Sequence, residues 1–194
     1  MKRVCIFCGS ASGFRPVHAE QTRLLGKLLI ERGLELVFGA GHIGLMGILA
    51  DAVLAGGGGA IGVIPQSLVD RELAHGTLSE LRVVETMHQR KALMADLSDA
   101  FLALPGGYGT LDELFEILTW AQLGIHTKPI GLLNSEGFFD PLLAWLNHAV
   151  AEGFLKPKHR ALLQVETEPG ALLDRLASWR PRVHVEKWIE PQER

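Results

Sequence analysis

Short apolar runs alternate along the chain with longer stretches whose apolar residues recur three and four positions apart. Val4–Phe7 is the first short run, and continuous apolar character over so few residues marks a strand buried on both faces. In His18–Glu31, Leu24, Leu25, Leu28 and Leu29 follow helical spacing, and Gly33 stands just past them as a stop. The same pattern predicts strands over Leu34–Phe38, Ala60–Ile64, Leu81–Glu85, Ala100–Leu104, Pro129–Leu133 and Leu162–Glu166. It predicts helices over Leu45–Leu54, Met87–Leu97, Leu111–Leu123, Phe138–Glu152 and Gly170–Trp179. Gln66–Ser79 is polar and poorly periodic and reads as a loop with at most one helical turn.

Strand–helix alternation of this kind predicts a doubly wound, Rossmann-like α/β fold: one parallel sheet with helices on both faces. A single domain is expected over residues 1–180, with the Pro-punctuated residues 181–194 as a C-terminal extension. Ligands of such sheets sit at the carboxyl ends of the strands. Three glycine-containing turns fall there: Cys8–Gly13, Gly39–Gly44 and Pro105–Gly109. Gly56–Gly59 lies at the opposite edge, where a helix ends, and reads as a connection with a helix C-cap.

Composition narrows the class. At 194 residues and 47% hydrophobic, the chain can bury one sizeable core. A net charge of −3 argues against a dedicated nucleic-acid binder. No apolar run has the length of a membrane span or of a signal-peptide core, so the expected setting is cytoplasmic, with no membrane partner. Cys5 and Cys8 have CxxC spacing, which invites a zinc or thioredoxin reading. There is no second ligand pair, and strand residues three apart point to opposite faces. Two buried free thiols and no metal are expected.

The densest chemistry is PGGYGTLDE, Pro105 to Glu113. Gly106, Gly107 and Gly109 allow positive φ and close approach of a phosphate. Thr110 is expected to cap the following helix, whose first amides and dipole attract an anion. Asp112 and Glu113 place carboxylates beside that cradle, which points to chemistry on a nucleotide. The alternative is a tight turn whose acids merely complement the helix dipole. GAGHIGLMG, Gly39 to Gly47, resembles GxGxxG but follows the second strand, and the next strand has no terminal acid for a ribose. His42 either contacts a ligand there or sits in a solvated turn. Ser10, in the Gly9–Gly13 turn, either binds a sugar or phosphate or caps the next helix. In Met87–Met94, His88, Arg90 and Lys91 share one turn, expected at a strand end adjacent to the strand that feeds Pro105. Arg90 can grip an anion in bidentate fashion, or it can belong to a solvated basic face.

Taken in order, these segments resemble the Lonely Guy family of cytokinin riboside 5′-monophosphate phosphoribohydrolases, whose members have often been labelled lysine decarboxylases. Its PGGxGTxxE signature is met by Pro105–Glu113 and its MHxRK element by Met87–Lys91. Its FCGSxxG element is met by Phe7–Gly13, its GxxxGLMG element by Gly39/Gly41 and Gly44–Gly47, and TWxQLGxHxKP by Thr119–Pro129. The resemblance runs from about residue 4 to at least residue 150. It implies hydrolysis of the N-glycosidic bond of an N6-substituted AMP, without a cofactor, by a catalytic pair at Arg90 and Glu113. It also implies substrate contacts at Glu72, Arg90, Lys91, Gly107, Tyr108, Gly109, Thr110, Leu111, Asp112, Glu113 and Thr119. Gly9, Ser10, Gly41, His42, Gly44 and Met87 are further candidate contacts, and a homodimer is expected. Trp120, Leu123, Phe138, Phe139 and Trp145 either supply its surface or belong to ordinary core packing. The alternative function on such a fold is a nucleotide or molybdenum-cofactor carrier that does not hydrolyse its cargo.

Overall fold

The computed structural model describes residues 1–70 and 74–180, so Glu72 and the extension 181–194 lie outside the described residues. Among the described residues the strands are β1 (Arg3–Phe7), β2 (Glu35–Phe38), β3 (Ala60–Pro65), β4 (Glu80–Val84), β5 (Ala100–Ala103), β6 (Ile130–Leu133) and β7 (Leu163–Glu166). The helices are α1 (Pro16–Glu31), α2 (Gly44–Ala55), α3 (Gln66–Val69), α4 (Met87–Leu97), α5 (Tyr108–Gln122), α6 (Asp140–Ala151), α7 (Pro157–Arg160) and α8 (Pro169–Ala177). The periodicity located every strand and every long helix to within a few residues. The four-residue α7 and the 3-10 turn Ser135–Gly137 were not foreseen, being too short to show a period.

All strands are parallel, in the order β4-β3-β2-β1-β5-β6-β7. The order reverses between β1 and β5, which pair from Val4 with Ala100 to Phe7 with Ala103. Alternation along β1 divides the core. Val4, Ile6 and Cys8 join the layer of α1, α2 and α8, while Cys5 and Phe7 join the layer of α4, α5 and α6. Both cysteines are buried free thiols on opposite faces, as the strand period requires. Each fully buried side chain such as Phe38, Leu102 or Phe101 contributes about 1.5–3 kcal/mol of burial.

Two expectations are corrected by the topology. The strand preceding Met87 is not adjacent to β5: β4 is the sheet edge, and β3, β2 and β1 intervene. Helix α4 instead travels back across the sheet, packing on β3, β2 and β1, and so carries its residues to the centre. Because α4 crosses toward the centre of the sheet, the described residues do not cover β4 on both faces, and Leu81 and Val83 are exposed among them. A capping box holds the start of α4: Gln89 N–H donates to Thr86 Oγ1 (3.1 Å), and Thr86 N–H donates to Gln89 Oε1 (3.2 Å).

Candidate active site

Three turns are knitted together where the strand order reverses. Gly9 N–H donates to Pro105 O (3.0 Å), and Gly9 O accepts from the amides of Leu45 (3.0 Å) and Met46 (3.3 Å). Gly44, at φ 62°, lies so close to Ser10 that a side chain there would overlap the Ser10 backbone. Two of the first amides of α2, those of Leu45 and Met46, are thus spent on the Gly9 carbonyl, which ties this turn to the end of β1. Gly41 forms an isolated bridge with Ala74, while Ser10 and His42 are exposed on the same loops. Ser10 does not cap the next helix, since α1 begins at Pro16 with Arg15 in the cap position.

The N-terminus of α5 differs. Its N-cap is Gly107, with no side-chain cap, and Gly107, Tyr108 and Gly109 are exposed. A Cβ at Gly107 or Gly109 would meet nothing within 4 Å, so the helix's first amides face open space. None of Gly106, Gly107 and Gly109 has positive φ, contrary to expectation. Their role is approach: Gly106 admits Thr110, whose hydroxyl a Cβ would overlap, and the other two leave room for an anion. Thr110 is not the cap either. The helix starts two residues before it, which buries Thr110 inside the first turn.

Behind this opening Arg90 of α4 meets Glu113 of α5, with Nη2 and Oε1 3.5 Å apart and both side chains about nine-tenths buried. Arg90 is held from three sides. Its Nε donates to Val63 O (3.1 Å), its Nη2 donates to Gly39 O (3.4 Å), and its Nη1 lies 3.8 Å from Met87 Sδ. Val63 lies in β3 and Gly39 directly follows β2, so the crossing of α4 creates the seat. Burial pushes the Glu113 carboxyl up to about 7; Arg90 and Lys91 oppose that rise, while Asp112 and Glu116 reinforce it. A buried acid poised near neutrality beside a fixed cation is suited to moving a proton.

Gly39 is part of that seat, a role that its place in the GAGHIGLMG turn did not reveal. A Cβ there would overlap the Arg90 guanidinium. We expect Gly39→Ala to fold normally yet lose about ten- to a hundredfold in kcat/KM, because the guanidinium must leave its place. A melting curve beside steady-state kinetics checks this; unchanged kinetics would refute the seat.

Lys91, the next residue on α4, binds both Asp112 (3.1 Å) and Glu116 (3.0 Å). Burial opposes its charge, but hydrogen bonds to Glu116 and Asp112 prevail and raise its pKa. Glu116 was missed, although it falls on the helical row of Asp112. Leu111 is half-buried, and Met87 is exposed at the rim. Thr119 is not brought to the Arg90–Glu113 pair. It is exposed six positions beyond Glu113, about 9 Å along the helix, and its hydroxyl donates to Phe115 O (2.7 Å). It lines a groove of about 430 Å³ between α5 and α6, walled by Phe115, Trp145 and Leu155. Trp145 and Phe138 are exposed as expected, but Phe139 is core: its amide donates to Asn134 Oδ1 (2.7 Å), which turns the ring inward.

The family model described as possible lysine decarboxylase matches residues 46–176. A probable cytokinin riboside 5′-monophosphate phosphoribohydrolase of Oryza sativa subsp. japonica is 51% identical over 180 residues, 93% of this chain and 79% of that one. A cytokinin riboside 5′-monophosphate phosphoribohydrolase of Arabidopsis thaliana is 49% identical over 181 residues, 93% of this chain and 85% of that one. Among solved structures, the molybdenum cofactor binding protein from the phototrophic bacterium Rippkaea orientalis aligns with TM-score 0.70 at 20% identity, covering 92% of this chain and 97% of that one. At that identity the likeness speaks for the fold alone. Near-half identity over nine-tenths of the length, together with the ordered motifs, settles the relationship: the chain belongs to the Lonely Guy family of cytokinin riboside 5′-monophosphate phosphoribohydrolases.

Proposed function

We propose that the protein hydrolyses the N-glycosidic bond of adenosine 5′-monophosphates, N6-substituted ones included, releasing the adenine base and ribose 5-phosphate. The observation that carries this reading is the buried Glu113 carboxyl, raised to about 7 and fixed 3.5 Å from Arg90 behind an open helix N-terminus. The amides of Tyr108, Gly109 and Thr110 take the 5′-phosphate, whose charge the helix dipole complements. As the bond from the anomeric carbon to the base nitrogen breaks, the sugar gains oxocarbenium character, which ionised Glu113 stabilises. Water adds to the anomeric carbon, its proton passes to Glu113, and Glu113 returns to its ionised form by releasing a proton that reaches the departing base through solvent. Arg90 acts as a fixed charge. Glu72 is kept as a proposed contact through the family resemblance.

A pyridoxal phosphate decarboxylase does not fit these residues. Schiff-base formation needs a free amine, and Lys91 is held charged by two carboxylates. The direct test is incubation with AMP and with isopentenyl-AMP, following free base by chromatography. Base from either supports the assignment. Tight nucleotide binding without base release would point instead to a carrier. The two buried thiols fit the reducing cytoplasm in which we place the protein.

The same reading includes a homodimer. Trp145 and Phe154 are 56% and 89% exposed beside the α5–α6 groove, which leaves a large apolar surface in water. Sedimentation at micromolar concentration is expected to give twice the chain mass; a monomer would remove the dimer.

A further inference from the structure

The Lys91 ammonium has three N–H donors, and two of them are committed to carboxylates on consecutive turns of α5, Asp112 and Glu116. A lysine normally samples many rotamers, and ordering it costs entropy. Here two anchors fix it, which leaves one donor with a defined direction. The two anchors are unequal. Asp112 is 61% exposed, so solvent screens its pair, whereas Glu116 is only 22% exposed and pairs with a lysine 11% exposed. Glu116 Oε2 is buried and makes no hydrogen bond to the described residues. A carboxylate held with one oxygen unserved costs stability, and such a group in a native fold calls for an explanation.

We infer that Glu116 is a positioning residue for the glycosidic hydrolysis proposed above: it fixes the Lys91 ammonium so that its third N–H meets an anionic or hydroxyl oxygen of the bound ribose 5-phosphate moiety. Glu116 acts through Lys91 and does not touch the reacting atoms. This inference rests on the hydrolase reading, because it assigns Lys91 to that substrate.

The test uses the full chain with AMP and isopentenyl-AMP as substrates, and Glu116→Ala, Glu116→Asp, Lys91→Ala and the Ala/Ala double variant. Loss of a charge-assisted hydrogen bond predicts a ten- to hundredfold drop in kcat/KM for Glu116→Ala, carried mainly by KM. Glu116→Asp restores part of it. In the double variant Glu116→Ala adds nothing to the loss from Lys91→Ala, since the two act as a unit. Losses that multiply, or wild-type kinetics in Glu116→Ala, would overturn the inference. A wild type that releases no base sinks the hydrolase reading itself and takes this inference with it.

Should Glu116→Ala not fold, the near-isosteric Glu116→Gln is read by its pH profile. Glu113 is faced by Arg90 and Lys91 from α4, by Asp112 and Glu116 from its own helix, and by Cys5 and Cys8 from the β1 side. Removing one anion from this set lowers the Glu113 pKa, so the acid limb of kcat/KM moves to lower pH. An unmoved limb counts against the inference.

Discussion

Glu113→Gln is expected to lower kcat by about 10²–10⁴-fold while nucleotide binding survives nearly intact. The substitution keeps the size of the side chain but removes the charge that faces the oxocarbenium centre and the base that receives the water proton. The amides at the start of α5 are untouched, so titration with AMP still reports phosphate binding. Turnover at the wild-type rate would remove Glu113 from the mechanism.

The same variant has a stability signature. The Glu113 pKa is raised from 4.5 to about 7 in the folded protein. Between these values the folded state keeps a proton that the unfolded chain has lost. Its contribution to stability is therefore full below about pH 4.5 and is lost as pH rises through 7. The shift corresponds to about 3 kcal/mol at alkaline pH. Glutamine imitates the protonated form, so the variant should melt higher than wild type at pH 8 and show a flatter dependence on pH. Catalytic activity of the wild type should run the other way, rising as Glu113 ionises near pH 7. Parallel melting and kcat/KM profiles across pH 5–9 check both signs. Melting curves with identical pH slopes would show that the acid is not raised.

Arg90→Met is expected to cost about 10²–10³-fold in kcat/KM, and Arg90→Lys to rescue little of it. The guanidinium reaches Val63 O, Gly39 O and Glu113 at once because its donors are spread over a rigid fork. A lysine presents its donors from one point and cannot span the three. Either variant leaves a buried carbonyl unserved, which costs about 1–3 kcal/mol in stability. With methionine the chief opposition to the Glu113 rise is gone, so the acid limb moves to higher pH. That direction is opposite to the shift expected for Glu116→Gln, so the pair of profiles separates the two charges. A limb that stays in place in Arg90→Met would show that the two groups are uncoupled.

Much of the site was legible because it lies in contiguous motifs. PGGYGTLDE marked both the open helix start and its acid, and MHQRK marked the cation. What the sequence could not assign was the job of each residue within a motif. Thr110 looked like a cap and is a buried first-turn residue; the glycines looked chosen for φ and serve approach. Gly39 sat in a glycine motif read for its turn and Glu116 sat in none, and the importance of each comes from what lies across from it, Arg90 and Lys91. The family resemblance put Thr119 among the contacts, yet it sits about two turns from Glu113 with its hydroxyl turned to its own helix.

By itself the sequence determined the alternation of elements, the parallel sheet and the glycine-bearing turn before α5. Those depend on local periodicity and on short glycine-bearing turns, which a chain cannot hide. Only the tertiary structure decided that β4 lies at the sheet edge, far from β5, and that α4 carries Arg90 back to the centre. It also decided which helix start is open: Gly9 O occupies that of α2 and leaves that of α5 free. Strand order and the burial that raises Glu113 depend on contacts between residues far apart in the chain, and no local pattern records them.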